Sequence, residues 1–92
     1  MILNALVNPT KFARAFQQWT RVSFQVRTGN TFFLSSNMGE AQNQNDGLQL
    51  NQANTNPPYD TWIKGDLWYS ADADNSSLRM VIWGVADEHY HP

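Results

Sequence analysis

The 92-residue chain has only two histidines, His89 and His91, both within four residues of its C-terminus. Chain ends are usually loosely held, which makes them poor sites for a general base. No serine sits in a Gly-x-Ser-x-Gly elbow, so a strained strand-to-helix nucleophile is not encoded. Neither a phosphate-cradling glycine loop nor a dinucleotide glycine fingerprint occurs. The eight carboxylates include no pair whose spacing suggests divided acid and base roles. With no cysteine there is neither a thiolate metal site nor a cysteine nucleophile. The inventory predicts a protein that is not an enzyme and carries no cofactor.

Two groupings have metal-like spacing. Asp72, Asp74 and Ser76 follow the first, third and fifth positions of a calcium loop, but Ser77 and Trp83 stand where that loop needs Gly and Glu. His89 and His91 would lie on one side of an extended tail, yet two imidazoles do not complete a zinc site. No metal is expected.

The aromatic residues are more informative. Trp19, Trp62, Trp68 and Trp83, with Tyr59, Tyr69 and Tyr90, are a heavy load for so short a chain. One reading is a glycan platform of Tyr59, Trp62, Asp66 and Trp68, with rings stacking on sugar faces and polar groups binding hydroxyls. The other is core and interface packing, where Trp and Tyr dominate contact energy. Trp62 and Trp68 flank a turn and are expected to be exposed, whereas mid-strand Trp83 is expected to be packed.

These residues need elements to position them. Phe12, Ala15, Phe16 and Trp19 fall at helical spacing behind Pro9, which predicts a short helix over residues 9–19. With Lys11 and Arg14, the residues Phe12, Phe16 and Trp19 form a basic aromatic arm able to dock on a partner, or else ordinary core. From Thr20 the period becomes two: Val22, Phe24 and Val26 alternate with Arg21, Ser23 and Gln25. Thr28-Gly29-Asn30 then suits a hairpin turn returning through Thr31–Ser35.

Residues 35–58 form a long polar loop, interrupted at 47–52 by an edge strand with Leu48 and Leu50 inward. Strand patterns recur at 60–63, 67–70 and 78–83, separated by turns at 64–66 and 71–77. The predicted fold is mainly β: a small antiparallel β-sandwich or barrel-like domain with a short N-terminal helix or arm. Residues 1–19 form the arm, and residues 20–92 form a single β-domain.

Charge is low but polarised. Residues 1–39 hold four cations and no acid, while residues 40–92 hold eight acids against Lys64 and Arg79. The arrangement suits a basic segment docking on an acidic portion of the same or a neighbouring subunit. Four scattered cations and a pI near 5.4 point away from nucleic acid. No apolar run approaches the ~20 residues of a membrane helix. Ten Asn and seven Gln replace the missing charge, a neutral coat that fits a surface meeting other protein.

Residues 65–84, Gly65-Asp66-Leu67-Trp68-Tyr69-Ser70 through Leu78-Arg79-Met80-Val81-Ile82-Trp83-Gly84, resemble a hairpin pattern of tailed-bacteriophage virion proteins. In those proteins a G-D-L-W-Y strand, a polar turn and an L-(K/R)-V-(W/Y)-x-G strand recur in fibre, neck and head-decoration domains. Here Met80 is inserted and Trp83 arrives late. The resemblance implies a non-enzymatic virion protein on a capsid or tail surface, assembled in the host cytoplasm. A capsid decoration (cement) protein or a short head spike fits a chain of this length best. Its implied partners are further copies of itself, with a homotrimer favoured, and a major capsid or other virion protein. A carbohydrate-binding, lectin-like module for host attachment is the alternative.

Overall fold

The alternation of Val22, Phe24 and Val26 with Arg21, Ser23 and Gln25 builds an inner strand of a two-layer sandwich. The computed structural model describes residues 1–42 and 47–86. His89, Tyr90 and His91 lie outside the described residues. Sheet A contains β1 (Ile2–Ala5), β3 (Phe16–Val26), β6 (Tyr59–Gly65) and β8 (Ser76–Val85), in the order β1-β8-β3-β6. Sheet B contains β2 (Thr10–Lys11), β4 (Phe32–Ser35), β5 (Leu48–Leu50) and β7 (Trp68–Ala71), in the order β2-β7-β4-β5. Every pairing is antiparallel. The expected mainly-β class and sandwich architecture are therefore present.

The core lies between the sheets. Val22, Phe24, Leu78 and Met80 from sheet A meet Phe32, Leu34, Tyr69 and Ala71 from sheet B in one buried cluster. Burying each large side chain contributes about 1.5–3 kcal/mol, which is how a short chain without disulfides holds two sheets together.

Several expected connections differ. β3 and β4 do not form a hairpin: β3 pairs with β6 and β8, and β4 with β5 and β7. The Thr28–Asn30 turn instead carries the chain across from sheet A to sheet B. The turn at 64–66 does the same between β6 and β7, and residues 72–75 return the chain from β7 to β8. Thus the two halves of the 65–84 motif face each other across the core rather than lying side by side. Sandwich corners of this kind satisfy the same alternation as a hairpin, because apolar faces turn inward either way.

The helix expected over residues 9–19 is absent. Those residues form β2, a bend and the start of β3, so residues 1–19 are woven into both sheets. Phe12 and Phe16 do stack, with ring centroids 5.5 Å apart, but across the bend rather than along a helix. An isolated helix this short is unstable in water, whereas the strand route gives its backbone partners, including Phe12 N–H donating to the Leu67 carbonyl at 2.8 Å.

The described residues of the polar tract at 35–58 form more than a loop. They hold α1 (Met38–Gln42), capped where Asn37 Oδ1 accepts from the Glu40 N–H at 2.8 Å. In β5, Leu50 is buried as expected, but Leu48 is exposed at the sheet edge. Past β5, Asn51 and Asn54 each accept the other's backbone N–H. Buried Thr55 accepts from Val26 N–H at 2.9 Å and donates to the Asn51 carbonyl. Part of the amide excess therefore serves the chain's own turns. The Asn56–Pro57 peptide is cis.

Candidate functional site

The outer face of β3 presents Arg21 and Ser23, because Val22 and Phe24 take the core. Across it β6 presents Asp60 and Trp62, and on the other side β8 presents Arg79, Val81 and Trp83. The register sets Ser23 between Asp60 and Val81, and Gln25 beside Arg79. Arg21 faces Trp62 across the ladder. At the upper end of β8 the pairing slips: Val22 faces Ile82 but Arg21 faces Gly84, leaving Trp83 as the extra residue of a bulge. Bulges re-aim side chains, and this one turns the indole back over β3. Gly84, at φ 151°, adopts a conformation that a side chain would strain.

A connected network results. Trp83 Nε1–H donates to Ser23 Oγ at 2.7 Å, and the Ser23 hydroxyl donates to Asp60 Oδ1. Arg21 donates to Asp60 Oδ2 at 3.2 Å, and its guanidinium lies 5.7 Å from the centre of the Trp83 ring. The Ser23 hydrogen bond, and then Arg21, hold the Asp60 carboxyl below its usual range. The indole is thus fixed while still 60% exposed. Trp83, expected to be packed, is the most exposed described tryptophan; its strand is interior to sheet A, but no described element covers that sheet's outer face. Arg79, Gln25 and Pro57-Pro58 complete a groove of ≈ 440 Å³ beside the ring. Arg79 has no ion-pair partner among the described residues.

The other proposed residues scatter. Lys11 is exposed and pairs with Asp66 at 3.6 Å; Arg14 lies 5.9 Å from the Phe16 ring centre. Phe12 and Phe16 are buried in the core, so an aromatic docking arm does not exist as such. Of the glycan candidates, Trp62 and Asp66 share with Trp19 a cleft of ≈ 280 Å³ at the open side of the sandwich, between β6 and β5. Tyr59 packs against the core, and Trp68 belongs to sheet B, opposite Lys11 and Ser35. The four do not form one platform. Both ion pairs among the described residues join a cation from the first 39 residues to an acid from the remainder, the intramolecular form of the charge polarity.

The calcium-like loop is committed to structural bonds. Asp72 Oδ1 accepts from Asn30 Nδ2 at 3.1 Å, Asp74 Oδ1 accepts from the Val7 N–H at 2.9 Å, and Ser76 donates to the Ala73 carbonyl at 2.7 Å. Among the described residues no cluster could hold a metal ion, and no helix is long and apolar enough to cross a membrane.

A second surface runs along the β1 edge. Met1, Ile2, Leu6 and Val7 are all exposed there, beside a strand with no partner on its outer side among the described residues. Compared with protein-family models, curated proteins and solved structures, the chain matches none.

Proposed function

We propose that this chain is a non-enzymatic structural protein that works by assembly, joining further copies of itself and a virion shell as a decoration or cement protein does. The observation that carries the reading is the β1 edge, where four exposed apolar side chains lie along or just beside a strand that pairs with β8 on one side and has no partner on the other among the described residues. Monomeric proteins usually blunt such edges with charge, proline or a covering loop, and large apolar side chains left exposed along one are suited to meeting another protein. No acid or lysine occurs among residues 1–10 to do so. The virion setting comes from the 65–84 motif, and with it the trimeric preference and the capsid partner.

Residues 1–19 supply β1, β2 and two core phenylalanines, so deleting them would remove structure along with any docking surface. Point substitution is the cleaner test. Light scattering should find the wild type oligomeric, and Ile2→Lys with Leu6→Lys should give a monomer with an unchanged far-UV spectrum. The same variant should no longer co-sediment with capsid shells. A wild type that stays monomeric at every concentration would sink the proposal.

A further inference from the structure

The groove beside Trp83 has a composition that the β1 edge lacks, and it supports an inference beyond assembly. We propose that it is a binding site for a pyranose bearing a carboxylate, such as a uronic acid within a glycan. The ligand class follows from what the groove offers.

The indole is a flat apolar surface, held in place through Ser23 and backed by Arg21 on the ring. Such a ring takes the C–H face of a sugar. Around it stand polar groups of both kinds. Asp60 is an acceptor kept ionised by Ser23 and Arg21, while the Gln25 amide both donates and accepts. Sugar hydroxyls need that mixture. Val81 and the two prolines give the groove apolar lining as well, against which the C–H faces of a sugar can pack.

Arg79 decides the charge of the ligand. Arg21 is already neutralised by Asp60, whereas Arg79 lines the groove with no ion-pair partner among the described residues. A guanidinium fork suits a carboxylate in bidentate geometry. Pro57 and Pro58 form a stiff wall, and the volume of ≈ 440 Å³ lies within the range of small-ligand sites.

The test is an NMR titration of the full chain, following the Trp83 indole N–H, identified by its loss in Trp83→Phe. The probes are methyl β-D-glucuronide, methyl β-D-glucoside, acetate and an N-acetylated diglutamate peptide. The glucuronide should shift the resonance and bind about tenfold more tightly than the glucoside, the worth of one charge-assisted contact. Arg79→Gln, a surface change, should abolish that preference while leaving the weaker glucoside response.

The proposal is overturned by no shift with the glucuronide at tens of millimolar, or by an undiminished preference in Arg79→Gln. It is equally overturned if acetate or the peptide matches the glucuronide, which would mark a general anion site or a protein-docking groove. Light scattering on the same samples separates the two proposals: a monomer that still prefers the glucuronide would defeat the assembly reading alone.

Discussion

On sheet B, the outward-facing Phe33 and Ser70 are buried beneath α1, and Ser70 Oγ donates to the Ala41 carbonyl at 2.7 Å to hold the helix down. On sheet A, the equivalent outward positions of β8, Val81 and Trp83, stand in solvent. The two sheets have the same number of strands and share one core, yet among the described residues one outer face is sealed and the other is open. The sealed face is built from small and apolar residues that disappear under a helix. The open face is built from Arg, Asp, Ser and Trp wired to each other, which keeps an aromatic ring both exposed and fixed. The contrast teaches that, among the described residues, the one helix covers sheet B and leaves Trp83 held in the open by its own neighbours on sheet A.

Matched substitutions on the two faces would break or sharpen this contrast. The largest effect is expected from Ala41→Glu against Val81→Glu. Ala41 is fully buried, so a carboxylate there must lift α1, at a cost of about 3 kcal/mol or more, whereas the change at Val81 should stay within about 0.5 kcal/mol. Urea midpoints measure both, and equal losses would show that the open face is also a packed one.

A smaller pair is Ser70→Ala against Ser23→Ala. Ser70→Ala removes one hydrogen bond and Ser23→Ala removes two, each worth roughly 1 kcal/mol, and the readouts should differ. Ser70→Ala should raise amide exchange in α1, while Ser23→Ala should release the Trp83 ring and change the near-UV dichroism and indole emission. Unchanged tryptophan spectra would mean that Ser23 does not hold the ring.

The smallest effect is the pH dependence of two exposed carboxylates. Hydrogen bonds from Ser35 and then Asn37 lower the Glu40 carboxyl on the sealed side; Ser23 and then Arg21 lower Asp60 on the open side. A carboxyl lowered in the folded state contributes stability above its ordinary value, and that contribution disappears as pH falls through the folded value. Asp60→Asn and Glu40→Gln should each flatten part of the acid limb of the stability curve below about pH 5. Only the Asp60 contribution should weaken with salt, through its Arg21 partner. Identical salt responses would contradict that assignment.

Much of this was legible in the chain itself. The alternation through Val22–Val26 and Leu78–Ile82 named the core residues of β3 and β8 correctly, and placed Arg79, Val81 and Trp83 on one face. The helical spacing at 9–19 does not make a helix, because Phe12 and Phe16 are four apart on any path and here a bend brings their rings together. The start of α1 is legible in the chain: Asn37 caps the helix and Glu40 stands three residues later, the spacing of a capping box. Of the groove, Arg21 and Ser23 were visible on one strand and Trp83 on another. Their meeting requires β3 and β8 to be neighbours, separated by some fifty residues of chain.

Composition and period, read alone, determined that this is a small β-protein without disulfides, and which side chains turn inward. They could not decide which strand lies beside which. A turn that makes a hairpin and a turn that crosses between sheets bury the same alternate residues, so local pattern cannot distinguish them. Only the tertiary structure chose crossings at 28–30, 64–66 and 72–75. That choice set β3 between β6 and β8, where backbone pairing and the core could both be satisfied, and so brought Arg21, Ser23, Asp60 and Trp83 together on the open face.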